Sequence, residues 1–427
     1  MNTRVSYTDH KLAKSKTNLN IAIEAFPLSE ENLTGIGLTN KRILENLQIL
    51  DTKNNYTLYF KDKNRHIKIT NPKWCEVTNA FENLWEKKKY FCNVVEKNPK
   101  LSNKLKYYIT LILCKVITIL YMLYIIFRLK IDKIDVYIGF SHSYMPIFFI
   151  GKNIKKTVFL YDMVWKILPE TMAPSNRIKM QLLSSYNLKR TDFLISISDN
   201  TKQDFLKFFN YKKNIYTIHL AVDKKTYHLA SPDNITIVKD KFNLPDSYVL
   251  AVGTIEPRKN LITLLKAFSI LNNKNIHLVL VGKIGWIDNN FFELLDQYKI
   301  KNRVVFTGYV SDKFLAPLYS GAKMFVFPSI YEGFGLPILE AMQCGCPVIA
   351  SNNSSIPEVA GDAALLFDAN DYTELARLID KLLQDENLRK SYIAKGFEQV
   401  KKFSWEKTVA QLLNVIESEY NNTNFKK

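Results

Sequence analysis

The sequence predicts an α/β protein built from two Rossmann-like domains with parallel sheets. Three observations lead there. Residues 248–367 alternate short apolar runs with helical periods, a pattern that builds a parallel sheet through right-handed crossovers. Leu19–Phe26 (LNIAIEAF) has the character of a buried parallel strand, and Thr34-Gly35-Ile36-Gly37 and a helical period over Leu38–Leu50 follow it. Between these regions Leu229–Asp246 carries Ser231-Pro232-Asp233 and Pro245-Asp246, the composition of a linker with one short helix. A chain of 427 residues is long enough for both domains. The expected division is a first domain over 1–228, a linker at 229–246 and a second domain over 247–403, followed by a last helix over 404–427.

In the first domain, further strands are expected at Tyr56–Lys61, His66–Thr70, Val136–Ser141, Lys156–Asp162, Phe193–Ser198 and Ile215–Leu220. His142 and Asp162 fall at C-terminal strand ends, where open α/β sheets bind ligands. His142 stands alone, so a structural role is favoured for it. In the second domain, strands are expected at Tyr248–Val252, His277–Val281, Arg303–Thr307, Lys323–Pro328, Val348–Ser351 and Ala364–Phe367, separated by helical stretches. Three long helices, from Asp371, Glu386 and Ser404, end the chain.

The net charge of +18 is uneven. Residues 1–230 hold 37 Lys and Arg against 19 Asp and Glu, whereas residues 231–427 hold 22 of each. A basic half implies an anionic partner, and a membrane surface or lipid phosphate fits better than nucleic acid, because no nucleic-acid-binding signature accompanies the charge. A genome rich in Lys codons would raise the total but would not produce the asymmetry. The five cysteines form no CxxC or Cys/His cluster, which argues for a reducing compartment and against structural zinc. The opening MNTRVSYTDHKLAKSK lacks the apolar core of a signal peptide, so a cytoplasmic location is expected.

Tyr107–Phe127 is apolar at all but Thr110, Lys115 and Thr118. Its length would allow a membrane span. Sheet strands on both sides of it and Lys115 near its midpoint argue against one. Three readings stay open, in order of preference: a core helix, a helix lying in the membrane interface with Lys104, Lys106, Arg128 and Lys130 at its ends, and last a span.

The chain is organised around Pro328–Ser351, PSIYEGFGLPILEAMQCGCPVIAS. An apolar strand enters a turn-prone loop, Leu336-Pro337 opens a helix, and Cys344-Gly345-Cys346-Pro347 stops it. Glu332 and Glu340 are eight residues apart. On one helix they would point roughly 80° apart; with Glu332 in the loop and Glu340 in the first helical turn, they can converge on a ligand at the helix N-terminus, a natural seat for phosphate. Gly333 and Gly335 let the backbone approach such a ligand closely. This stretch resembles the paired-glutamate signature of retaining glycosyltransferases of family four. That resemblance implies the GT-B fold, with the two sheets facing a cleft and the last helix crossing back onto the first domain.

By the same resemblance Glu332 and the amides of Gly333, Phe334, Gly335 and Leu336 hold the donor sugar, and Glu340 binds the nucleotide ribose. Arg258-Lys259, in the loop GTIEPRKN after Gly253, would neutralise the leaving nucleoside diphosphate; two adjacent cations on the ligand edge of the sheet suit that task. Thr254 stands where many members place an Arg, so Arg258 must cover that role. The backbone of Tyr309 and Val310 would read the base, and Gly35 and Gly37 would face donor phosphate or acceptor. The strand ending in Tyr161-Asp162 departs from the His-Asp common in the family, which removes a histidine role there and leaves Asp162 alone. The chain contains no Asp-x-Asp, so no metal and no other cofactor is expected. Within the family GTIEPRKN, VGKIGW and EGFGLPILEAM look most like the bacterial mannosyltransferase branch. The expected activity is retaining transfer of a hexosyl group, mannosyl from GDP-mannose favoured, to a lipid-linked glycan acceptor in cell-surface polysaccharide or lipopolysaccharide synthesis, by an enzyme peripheral on the inner face of the plasma membrane. Two other classes stay open: another GT-B enzyme, such as a sugar phosphorylase or nucleotide-sugar epimerase, and a catalytically silent lipid-binding scaffold.

Overall fold

A computed structural model describes residues 18–29, 33, 35–61, 65–78, 90, 94, 101–141, 147–172, 177, 180–285 and 291–424. Thr34, His142, Trp286 and the first 17 residues lie outside them. The described strands form two parallel sheets. The seven-stranded sheet contains β1 (Asn20–Glu24), β2 (Asn55–Phe60), β3 (Trp74–Thr78), β4 (Val136–Gly139), β5 (Lys155–Leu160), β6 (Phe193–Ser196) and β7 (Ile215–Thr217) in the order β3-β2-β1-β4-β5-β6-β7. The six-stranded sheet contains β8 (Tyr248–Val252), β9 (His277–Val281), β10 (Val304–Gly308), β11 (Met324–Phe327), β12 (Val348–Ser351) and β13 (Ala364–Phe367) in the order β10-β9-β8-β11-β12-β13. Strand order therefore reverses beside β1 and again beside β8. Such switch points open crevices at the C-terminal strand ends.

Contacts divide the chain into two compact units. One comprises Met1–Val158, Arg190–Phe193 and Ala410–Lys427; the other comprises Phe159–Lys189 and Leu194–Val409, so the division passes through β5 and β6.

In the first unit, Ile21 pairs with Tyr56 on one side and Val136 on the other. The helix Gly35–Leu50 takes Gly35, Ile36 and Gly37 into its first turn, where a glycine loop was expected. Gly37 is packed there: a Cβ would meet the Leu33 side chain and the Pro27 carbonyl. No strand forms at His66–Thr70. The Thr70 amide donates instead to Gln48 Oε1, 2.8 Å away, so a helix side chain takes a backbone group that a ladder would have used. From Ala410 onward the last helix, Trp405–Asn424, belongs to this unit. There Glu417 pairs with Lys53 at 2.8 Å, and the Tyr420 hydroxyl donates to Asp135 Oδ1 at 3.1 Å.

Among the described side chains of the helix Leu101–Ile131 the buried ones are Thr110, Ile117, Tyr121, Ile125 and Leu129. The Tyr121 hydroxyl fixes it by donating to the Phe60 carbonyl at 2.7 Å. Ile112, Val116, Ile119, Leu123 and Phe127 are exposed, so this is no ordinary core helix. By length and composition alone Lys104–Ile131 could cross a membrane, yet Tyr121, Ile125 and Leu129 are committed to the protein.

In the second unit, β8, β9 and β11 are continuous apolar runs buried on both faces. Leu261, Leu264, Leu265 and Phe268 line the inner face of the helix Leu261–Ile270, and Leu375 and Ile379 of the helix Tyr372–Gln384 join the same core. The helix Leu336–Gln343 follows β11. It ends where the Cys346 amide reaches the Ala341 carbonyl and the Gly345 amide the Met342 carbonyl, with Gly345 at φ 70°, a left-handed stop that suits glycine.

Candidate active site

Two loops at the switch point of the six-stranded sheet carry most of the expected donor residues. After β8, Gly253 adopts φ 145° and the chain makes a short 3₁₀ turn at Pro257–Lys259. Asn260 follows in a left-handed conformation, and its Nδ2 donates to the carbonyls of Pro328 (3.1 Å) and Ala369 (2.8 Å). This amide ties the loop after β8 to the loop after β11. The Ile330 amide adds a second tie by donating to the Arg258 carbonyl at 2.9 Å.

These ties place three charged side chains together. Arg258 Nη1 lies 2.8 Å from Glu332 Oε2, and Lys259 Nζ lies 2.7 Å from Glu332 Oε1. Both carboxylate oxygens are thus engaged, in a place where Glu332 is only 12% exposed. Arg258 also pairs with Glu256 at 2.7 Å and donates to the Tyr331 carbonyl at 2.8 Å, while Lys259 Nζ sits 5.1 Å from the centre of the Phe327 ring. Burial pushes the Glu332 carboxyl up, but Lys259 and Arg258 outweigh it and hold the group down at about 2. Burial alone would lower Arg258, and Glu332, Glu256 and Asp162 together raise it instead. Asp162 shifts upward through burial, opposed by Arg258. Asp162 therefore faces the same cation from the end of β5, and the cations at rest are balanced by the protein's own carboxylates.

The loop from Gly333 to Leu336 supplies the complementary feature. Its amide N–H groups find no acceptor among the described residues. Gly335 is at φ 113°, and the loop's carbonyls turn the other way: the Ser355 hydroxyl lies 2.9 Å from the Glu332 carbonyl oxygen and 2.8 Å from that of Phe334. Free amides at a helix N-terminus can donate to the oxygen atoms of a ligand seated there.

Glu340 is in the second turn of its helix, not the first. It faces the hydroxyls of two buried tyrosines, Tyr319 (3.0 Å to Oε2) and Tyr227. Burial pushes its carboxyl up to about 7 against the pull of both hydroxyls. Tyr309 is exposed, with Lys283 Nζ 5.0 Å from its ring centre, and Val310 is buried. Gly308, at φ 68°, turns the chain between β10 and this pair. Gly35 and Gly37 lie in the first unit, Gly35 exposed at a helix start and Gly37 buried. Tyr227, Tyr319 and Ser355 were not legible as site residues, because a lone tyrosine or serine carries no signal of what it faces.

Among the described residues, one group has the chemistry of a metal site: Asp199, His219 and Glu358. Its ligand atoms are already committed. Glu358 accepts the amides of Asp199 (2.8 Å) and Asn200 (3.1 Å) at the start of a helix, and lies 2.6 Å from His219 Nε2.

The raised Glu340 carboxyl has a consequence for stability. Its charged form is unfavourable in the fold, so the cost is absent below the unfolded value near 4.5 and complete above about 7. Glu340→Gln should therefore stabilise the protein by up to about 3 kcal/mol at pH 8 and by clearly less at pH 5.5. Urea denaturation at the two pH values measures this; a gain that does not change with pH contradicts it.

Residues 234–399, which include both loops, match the family described as glycosyl transferases group 1. The O-antigen chain mannosyltransferase B of Escherichia coli is 36% identical over 275 residues, 63% of this chain and 72% of that one. The serotype-specific mannosyltransferase WbdA of Escherichia coli is 34% identical over 227 residues, 52% of this chain and 28% of that one, so the chain spans only a fraction of WbdA's length. Among solved structures, the sucrose-phosphate synthase of Thermosynechococcus elongatus matches with a TM-score of 0.69 at 19% identity, over 94% of this chain and 98% of that one, a likeness of fold. The chain belongs to the glycosyl transferases group 1 family and is a hexosyltransferase of GT-B fold.

Proposed function

We propose that the protein transfers a mannosyl group from GDP-mannose to a hydroxyl of a lipid-linked glycan, with retention and without a metal ion, in lipopolysaccharide O-antigen or related polysaccharide synthesis. The observation that carries this reading is the double ion pair of Glu332 with Arg258 and Lys259 beside the free amides of Gly333–Leu336. Arg258 and Lys259 would take the diphosphate, and those amides and Glu332 the sugar. Glu340, held by Tyr319 and Tyr227, would accept from the ribose hydroxyls. The similarity to O-antigen chain mannosyltransferase B favours mannose over other sugars.

In this mechanism the bond between the anomeric carbon and the diphosphate oxygen breaks as the cations stabilise charge on the leaving group. Glu332 has both oxygens engaged and a carboxyl held at about 2, so it is a poor base and a poorly placed nucleophile. The acceptor hydroxyl then attacks from the face the diphosphate leaves, and the departing oxygen takes its proton. Two fixed cations supply the positive charge that a divalent ion would otherwise bring.

The exposed apolar face of the helix Leu101–Ile131, with Lys104, Lys106 and Lys130 exposed near its ends, supports a peripheral location on an anionic bilayer, where a lipid-linked acceptor would be found.

Arg258→Ala should lower kcat for mannosyl transfer from GDP-mannose by about 100- to 1000-fold. The assay is run with and without EDTA, and the product anomer is read by NMR; an inverted anomer, or activity lost to EDTA, contradicts the mechanism. Ile119→Asp with Phe127→Asp, both exposed positions, should markedly reduce co-sedimentation with vesicles containing phosphatidylglycerol. Unchanged sedimentation contradicts the membrane role.

A further inference from the structure

The donor loop is held from behind by a helix that the reading above does not use. The helix Asp199–Phe208 is capped by Ser198, whose Oγ accepts the Thr201 amide at 3.0 Å. The same Ser198 hydroxyl donates to the Gly333 carbonyl at 2.7 Å, and the Thr201 hydroxyl lies 3.2 Å from that oxygen. One turn on, Asp204 Oδ2 accepts the Tyr331 hydroxyl at 3.0 Å, and Tyr331 Oη in turn accepts the Met163 amide at 3.2 Å. Asp204 is fixed by Asn200 Nδ2 (2.8 Å) and Lys207 Nζ (2.8 Å). Ser198, Thr201, Asp204 and Tyr331 are all buried. A Cβ at Gly333 would overlap the Tyr161 carbonyl, so the loop is pressed against this support with no room for a side chain.

The direction of these bonds matters. In a trans peptide the C=O and the following N–H point opposite ways. Anchoring the Gly333 carbonyl on Ser198 and Thr201 therefore turns the Phe334 amide away from the helix. Tyr331 and Gly333 are the two neighbours of Glu332, and both are pinned on the same side, which leaves the Glu332 side chain to Arg258 and Lys259.

We propose that Thr201, Ser198 and Asp204 are positioning residues for the donor: they fix the peptide Gly333–Phe334 and the orientation of Glu332 without touching the substrate. This rests on the donor-site reading above. The test compares wild type with Thr201→Val, Tyr331→Phe and the double variant, each isosteric and each leaving the Ser198 cap intact. Transfer from GDP-mannose and binding of GDP are measured alongside melting temperature. The expected result for the double variant is a fall in kcat/KM of about ten- to a hundredfold, carried mainly by a raised KM for GDP-mannose, with GDP binding nearly unchanged. Thr201→Ser, which keeps the hydroxyl, should restore the KM lost in Thr201→Val. Wild-type kinetics in the double variant, or losses in GDP binding and sugar transfer that only track a lowered melting temperature, overturn the proposal. If wild type itself binds no GDP or UDP, the donor-site reading fails, and the positioning proposal fails with it.

Discussion

The structure depends most on one electrostatic arrangement, in which a single carboxylate, Glu332, bridges two cations from another loop. Arg258 and Lys259 leave the end of β8, and Glu332 leaves the end of β11. These strands are neighbours because the sheet order reverses between them, so the charges meet only in this topology. Removing three charges from water is costly, and breaking one partner of such a cluster leaves the others uncompensated. On the proposed function the cluster is a donor site at rest, with a protein carboxylate as counter-ion where a diphosphate would bind.

The two glutamates of the central stretch illustrate how environment divides a common chemistry. Glu332, between two cations, is held at about 2, whereas Glu340, buried and bonded to two tyrosine hydroxyls with no ion pair of its own among the described residues, is pushed up to about 7. One is a permanent anion and the other sits near its titration point in neutral solution. An electroneutral partner rich in hydroxyls suits Glu340.

Much of this was legible in the sequence because it is local. Parallel strands buried on both faces announce themselves as apolar runs, and the loops after β8 and β11 carry their glycines, prolines and charges within a few residues. The resemblance carried by EGFGLPILEAM and GTIEPRKN suggested roles that spacing alone would not. What was illegible is long-range. Nothing near Thr70 indicates that Gln48 will take its amide, and nothing near Glu340 indicates Tyr319 or Tyr227. Ser198 and Thr201 lie more than 130 residues from Gly333 in sequence and meet it only after folding. The expected glycine loop at Gly35–Gly37 is instead the first turn of the helix, where Gly37 packs beside Pro27 and Leu33, neighbours its own dipeptide pattern does not name.

The central claim is that Glu332 is the resident counter-ion of the diphosphate site. Calorimetric titration of GDP into wild type and Glu332→Gln tests it most directly. With the carboxylate gone, Arg258 and Lys259 are left without their shared anion, and the account predicts tighter GDP binding in the variant together with lost sugar transfer. Unchanged or weaker GDP binding in Glu332→Gln would contradict it, since the cations would then be holding something other than the diphosphate.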